Sequence, residues 1–145
     1  MAITTAMCTS FKAELLGGIH DLDTHTIKLA LIKSSMSGTY NAATTNYSDD
    51  TGNSDEASGT NYSAGGQNLD SATIAVDGTT ATVDFADEVF SNVTTSADGC
   101  IIYNSSASNK AICVIDFGGT VSATAGDLTI EFPAVGTSTA VIRVA

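Results

Sequence analysis

Positively charged side chains are scarce in this sequence. Only five of its 145 residues are Lys or Arg, against 16 Asp and Glu, which gives a formal net charge of −11 at pH 7. Binding along a nucleic-acid backbone requires clustered cations that displace counterions, and attraction to anionic lipid headgroups requires the same. Because no two of the five cations are adjacent in the sequence, we expect neither nucleic acid nor a membrane surface as a partner.

Long apolar runs and paired cysteines are also missing. The longest short apolar runs, residues 29–32 and 100–102, fall far below the roughly 20 residues of a membrane-spanning helix. The first residues lack a basic stretch followed by an apolar run, so we expect no secretory signal. The cysteines are Cys8, Cys100 and Cys113, an odd number without a CxxC pair. They predict buried packing residues in a protein made in a reducing cytoplasm, not a disulfide framework.

The charges that are present have an uneven distribution. No Lys or Arg occurs from residue 34 to residue 109, a stretch that holds ten of the 16 acidic residues. The five cations lie nearer the two ends, at Lys12, Lys28, Lys33, Lys110 and Arg143. Dispersed acids can simply keep a surface rich in Thr, Ser and Asn soluble. Alternatively, they give the molecule one face that is repelled by a like-charged neighbour or attracted to a basic partner.

The N-terminal segment has helical periodicity. Met7, Phe11 and Leu15 recur at i, i+4 and i+8, and Gly17-Gly18 can end the helix in a left-handed turn. This pattern predicts a short helix over about residues 5–17. A helix of about three turns persists only when it docks against the rest of the protein.

The rest of the chain has the alternation of β-strands. The first run is residues 26–32, and residues 72–76 and 79–85 flank Asp77-Gly78 as in a hairpin with a type I′ turn. Further runs cover residues 99–104, 110–117, 127–132 and 140–144, with Gly118-Gly119 predicted as a turn. Short strands at this spacing predict a mainly β domain spanning residues 1–145, either an antiparallel β-sandwich or a jelly-roll-like fold.

A long polar loop over about residues 34–69 separates the first strand from the others. It is rich in Gly, Ser, Thr, Asn and Asp, and it contains Tyr40, Tyr47 and Tyr62. Tyrosine among small polar residues is typical of adaptable contact surfaces. The rings can equally anchor a loop that wraps over the sheet, because a tyrosine ring tends to be buried on one surface or another.

No set of residues predicts a reaction centre. The cluster from His20 to His25 lacks zinc-site spacing and falls in an expected turn, which favours a structural role over a metal site. Residues 50–56 are rich in oxygen ligands but lack the EF-hand order, so weak calcium binding stays open. The serines lack a Gly-x-Ser-x-Gly elbow. We therefore predict no catalytic residues, no metal site and no cofactor.

Several segments resemble a family of small virion proteins of tailed bacteriophages. They are the opening MAITTAMCTSFKxELLxG at 1–18, the strings IIYNSS and SNKA at 101–106 and 108–111, DFG at 116–118, and the ending with FPA at 132–134 and VIRVA at 141–145. The similarity runs over most of the chain, with the loop of residues 34–69 expected to vary. It implies a non-enzymatic virion component that is made in the host bacterial cytoplasm. Its implied partner is the major capsid protein or another virion protein.

Three roles within a virion are compatible with the resemblance. In first place is a capsid decoration (cement) protein on the outside of the head, expected as a trimer or dimer, since an acidic protein would be repelled by DNA inside. In second place is a tail-fibre or head-fibre module whose loop tyrosines contact a host glycan or protein. In third place is a carbohydrate-active tail enzyme, which the absence of Trp and an aromatic content of 6% disfavour.

The charge distribution suggests which end of the chain makes the contact with the capsid shell. We expect the segment of residues 1–16 and neighbouring cations to bind the shell; alternatively, the amphipathic helix only closes the core. The loop tyrosines are added as further contact candidates. The predicted interface residues are Met7, Phe11, Lys12, Leu15, Lys28, Tyr40, Tyr47 and Tyr62.

Overall fold

A computed structural model describes residues 2–136 and 138–145, so that Met1, at the start of the predicted contact segment, lies outside the described residues. The strands are β1 (Ala2–Ile3), β2 (Ala6–Met7), β3 (Ile27–Ile32), β4 (Thr39–Tyr40), β5 (Gln67–Asn68), β6 (Thr73–Asp77), β7 (Thr80–Asp84), β8 (Glu88–Asn104), β9 (Lys110–Ile130) and β10 (Ile142–Val144). The helices are α1 (Thr9–Leu16) and α2 (Ser48–Gly52), with a 3₁₀ turn at Ser105–Ala107.

The main sheet is built around one long antiparallel hairpin. Its strand order is β2-β9-β8-β3-β5, and β8 and β9 pair along most of their length. β3 is the strand most deeply buried, because its residues apart from Lys28 are at most 1% exposed. A continuous apolar run bounded by polar residues is typical of such a central strand.

Gly118-Gly119 does not form the predicted turn. Ala97 lies opposite Val121, whereas Gly99 lies opposite Asp116, so the two glycines belong to a bulge inside β9. Their φ angles of +77° and +157° suit glycine. Thr120 donates a hydrogen bond of 2.6 Å to Asp98 on β8 and ties the bulge to the sheet. The turn prediction was wrong because a glycine pair marks a bulge as readily as a chain reversal.

The smaller sheet contains the predicted hairpin. Its order is β10-β7-β6, with Asp77 opposite Thr80 at the closed end. Gly78 has a φ of +61°, and Thr79 is not among the positive-φ residues. The turn therefore has its glycine in the first central position, as in type II′, and not the predicted type I′ conformation.

α1 is shorter than the predicted helix. It begins at Thr9 because residues 6–7 are already committed to β2, which pairs with Cys113 and Val114 of β9. Phe11 is fully buried, and its ring meets His20 edge-on at a centroid distance of 4.8 Å. The predicted docking of this short helix is thus achieved through the core.

The two sides of the main sheet are covered differently. α1 and the small sheet lie on one side, where Leu15, Leu22, Ile74, Val83 and Ile142 line a common cleft. Part of the loop of residues 34–69 covers the face that carries Tyr103, on which Tyr47 stacks. Ala42 of the same loop accepts a hydrogen bond of 2.8 Å from the backbone N–H of Thr9 at the start of α1. The loop includes the short elements β4, α2 and β5.

The fold-class prediction of a mainly β, antiparallel, sandwich-like structure with a short N-terminal helix is confirmed. Its polar loop carries local structure that the sequence did not indicate. In the part of the chain that the structure describes, no helix is long and apolar enough to cross a membrane.

Candidate functional site

One side of the molecule combines exposed apolar side chains with positive charge. A shallow depression there is lined by residues of α1, β2 and the C-terminal strand; they are Met7, Lys12, Leu15, Leu16, Arg143, Val144 and Ala145. We call the first six of these residues the attachment surface. Leu16 is 92% exposed and Val144 46% exposed. Exposed apolar groups beside charges are typical of sites where another molecule docks.

Local structure explains why these residues meet. Phe11 and Leu15 are one helical turn apart and face the core, so Leu16 is turned away from it. Arg143 and Val144 are brought to α1 by the antiparallel pairing of β10 with β7. Lys12 and Arg143 also line a second depression together with Met7. Two of the five cations are therefore neighbours, although they lie at opposite ends of the sequence.

The remaining cations have other surroundings. Lys110 forms an ion pair of 3.0 Å with Glu14, and Lys33 lies 3.5 Å from Asp55. Lys28 of β3 lies opposite Tyr103 of the neighbouring strand β8, under the loop and beside Gly65. The structure thus keeps the predicted contact residues Met7, Lys12 and Leu15 together and separates Lys28 from them.

The predicted contact residues Phe11 and Tyr40 do not fit a surface role. Phe11 is 0% exposed and Tyr40 is 1% exposed, and both belong to the core. The Tyr40 hydroxyl donates a hydrogen bond of 2.7 Å to Asp55. The periodic pattern that singled out Phe11 indicates one apolar helix face, and here that face is the one that closes the core.

Tyr47 and Tyr62 anchor the loop on the sheet. Both hydroxyls donate to the carboxylate of Glu56, and the backbone N–H of Gly65 donates to it at 2.6 Å. The ring of Tyr47 stacks on Tyr103 with a centroid distance of 4.5 Å. This arrangement corresponds to the anchoring interpretation of the loop tyrosines, because their hydroxyls are engaged inside the protein.

Asp55 is held ionised by a ring of donors. It accepts backbone hydrogen bonds from Ser37 at 2.8 Å and Gly38 at 2.7 Å, in addition to the one from Tyr40. Burial works to raise the pKa of Asp55, but these hydrogen bonds outweigh it and lower the pKa to about 2. The residue fixes the loop to itself and is not directed towards solvent.

Asp50 has the opposite environment. It is 0% exposed, and neither carboxyl oxygen has a hydrogen-bond partner among the described residues. Burial, together with the charges of Glu56 and Asp55, raises the pKa of Asp50 to about 7, against the opposing charge of Lys33. No sequence pattern indicated this buried acid, since the acidic segment of residues 50–56 has the composition of a solvated loop.

The histidines serve local structure. His20 bonds Glu14 through Nε2 at 2.8 Å and Asn104 through Nδ1 at 3.1 Å, and His25 contacts the same Asn104 amide at 2.9 Å. They join the turn after α1 to the end of the long hairpin. Among residues 2–136 and 138–145, no group of three or more His, Cys, Asp or Glu side chains is arranged to hold a metal ion.

The three cysteines are buried, as predicted, so they should react slowly with thiol reagents. Cys8, Cys100 and Cys113 are free thiols at most 4% exposed, and burial, with smaller contributions from Asp49 and Glu14, raises the pKa of Cys8 to about 12. We expect a thiol reagent at pH 8 to react at least about 100-fold more slowly with the native than with the unfolded protein, because only thiolates attack. Colorimetric titration with and without denaturant measures this. One thiol reacting at the rate of free cysteine would contradict it.

The attachment surface and the loop of residues 34–69 thus differ in the groups they present to other molecules. The attachment surface offers exposed apolar area and the cation of Lys12 to another molecule, whereas Asp55 and Glu56 are occupied by internal donors. Comparison of the chain with models of protein families, with curated proteins and with solved structures finds no match.

Proposed function

We propose that this chain is a non-enzymatic structural protein of a tailed-bacteriophage virion, and specifically a capsid decoration protein that binds the outer surface of the head. The resemblance of its sequence segments to small virion proteins suggests the virion. The observation that carries the attachment role is the position of exposed Leu16 and Val144 beside Lys12 on one surface. Apolar area supplies affinity for the shell, and the cation selects an acidic rim.

The net charge of the chain supports a position outside the head. An outer position avoids the repulsion that packaged DNA would exert on a chain of net charge −11.

The proposed mechanism is mechanical. Packaged DNA presses outward on a thin shell, and a protein that binds only the assembled shell stabilises it by mass action. Each apolar contact adds about 25 cal/mol per Å² removed from water. A homo-oligomer, dimer or trimer, would engage several capsid subunits at once, and this multivalency raises the overall affinity without new kinds of contact.

Binding to heads that lack the protein tests the proposal. We expect Leu16→Ser and Lys12→Gln each to weaken binding by about tenfold, because each removes one contact of about 1.4 kcal/mol. The matched controls Val89→Ser, at a 39% exposed valine elsewhere, and Lys28→Gln, under the loop, should bind like the unmodified protein. Co-sedimentation of protein with heads measures the affinity.

Two results would contradict the proposal. One is unchanged binding by both attachment-surface variants while their folding is intact. The other is a stained gel of purified virions that shows a few copies per particle, as expected for a fibre, in place of the hundreds expected for a decoration protein.

A further inference from the structure

The outer strand of the small sheet has an open edge. Among the described residues, β6 pairs only with β7. Its apolar side chains are exposed, Ile74 to 52% and Val76 to 75%. An exposed edge strand with apolar side chains is a ready site for pairing with a further strand.

The register shows which backbone groups face outward. Asp77 and Thr80 flank the two-residue turn and form the closing hydrogen-bonded pair, so Ala75 and Thr82 form the next such pair. The N–H and C=O groups alternate in direction along a strand. Those of Ile74 and Val76 therefore point away from β7, towards the open edge.

The usual protective features are missing from this edge. Residues 73–77 contain no Lys and no Pro, and their pairing with β7 runs without a bulge. The only charge is that of Asp77, at the end of the strand. Natural edge strands that must stay unpaired usually carry one of these features.

We propose that two copies of this chain associate through β6, in antiparallel pairing about a two-fold axis at Ala75. Ile74 of one copy then lies opposite Val76 of the second copy, and Thr73 lies opposite Asp77. The outward groups of Ile74 and Val76 in both copies form the hydrogen bonds of the new pair, since both residues fall at hydrogen-bonded positions. The same segment thus serves both sides, as a two-fold interface requires.

The register keeps the like charges of the two copies apart in this arrangement. The two Asp77 carboxylates lie at opposite ends of the pairing, four residues or about 13 Å apart along the strand. That separation exceeds the screening length of about 8 Å at physiological salt, so their repulsion is small. Centring the axis on Ile74 would draw in Ser71, whose φ of +57° breaks the strand, and centring it on Val76 would pair β6 with the turn.

The interface joins the small sheets of both copies into one sheet with the order β10-β7-β6-β6-β7-β10. Val76 and Val144 lie in one row with Ala81, so the exposed apolar residues of both copies share a face. The proposal concerns the purified protein and does not depend on the proposed function.

Disulfide trapping tests the pairing. Ala75 of each copy meets its counterpart in a non-hydrogen-bonded pair with a Cα separation of about 4.5 Å, which a disulfide can span. We expect Ala75→Cys to form a covalent dimer under mild oxidation. Thr73→Cys is the matched control on the same strand and face, and it should stay monomeric on a denaturing gel because its counterpart lies about 13 Å away.

Sedimentation equilibrium of the full chain provides the second measurement. The unmodified protein should be a dimer, and Val76→Pro should dissociate at least about tenfold more readily, because proline removes an outward N–H without disturbing the pairing with β7. Val144→Ser, on the opposite edge strand, should remain dimeric. A monomer at 100 µM (about 1.5 mg/ml), an oligomer unaffected by Val76→Pro, or equal cross-linking of both cysteine variants would overturn the proposal.

Discussion

Replacing Asp50 by asparagine should stabilise the protein by about 2 kcal/mol at pH 8 and remove most of its pH dependence between pH 4 and 7. The carboxyl group of Asp50 is fully buried without a hydrogen-bond partner among the described residues. An ionised group that is buried without a partner lowers the free energy of unfolding by several kcal/mol. Asparagine has nearly the same shape and no charge, although its buried amide retains part of the desolvation cost.

The sign of the pH effect follows from the pKa of Asp50. Its pKa is raised from an ordinary 3.8 to about 7 in the folded protein, so between these values the folded state holds a proton that the unfolded state has lost. The free energy of unfolding therefore falls as the pH rises from 4 to 7, by up to about 4 kcal/mol, and then levels off. Asp55, whose pKa is lowered to about 2, contributes only below pH 4 and does not mask this change.

Urea denaturation at pH 5, 6, 7 and 8 measures the effect. The difference between Asp50→Asn and the unmodified protein isolates Asp50 from Glu88, whose pKa is also raised by burial and by Asp70. Asp49→Asn is the control in the same helix. It should destabilise, because Asp49 accepts a backbone hydrogen bond of 2.7 Å from Thr45. Parallel stability curves for the unmodified protein and Asp50→Asn would contradict the expectation.

Replacing Gly66 by alanine should cost at least about 3 kcal/mol of stability. A Cβ at this position would overlap the carbonyl oxygen of Leu29, which belongs to the central strand β3. Its φ of +72° adds the ordinary penalty of a left-handed residue. The backbone of β3 cannot withdraw without breaking its pairing with β8, so the loop must lift from the sheet.

Gly18→Ala separates the two causes. Gly18 has the same φ of +72°, but no atom lies within 4 Å of a Cβ built there. It should lose only about 1 to 2 kcal/mol, the cost of the backbone conformation. Chemical denaturation of both variants at one pH gives the comparison, and equal losses would show that the close approach to Leu29 contributes nothing.

The parts of the fold that sequence patterns predicted are those set by local chemistry. The alternation in residues 72–85 with Asp77-Gly78 located the hairpin of β6 and β7. β3 was equally recognisable as an apolar run. The strand content of residues 88–98 and 118–126 was missed because polar Ser, Thr and Gly there become strand only through long-range pairing across the hairpin.

The candidate site also combines residues that a local pattern predicted with residues that only long-range pairing brings in. Helical spacing selected Met7, Phe11 and Leu15, and the distribution of the cations selected Lys12. Lys12 and Leu15 lie in α1 as predicted, whereas Met7 belongs to β2. Arg143 and Val144 join them through the pairing of β10 with β7, which no local pattern encodes. The inward position of Asp50 could not be predicted either, since composition reports how polar a segment is and not which of its residues the sheet covers.

The topology of the main sheet also fixes when the protein can fold during its synthesis. β2 pairs with residues 113–114, and β3 pairs with residues 99–104. A ribosome therefore releases both early strands long before their partners exist. The apolar residues of β3 stay uncovered until the long hairpin has been made, so stable structure forms only near the end of translation. Chaperone binding to the nascent chain should accordingly centre on residues 27–32.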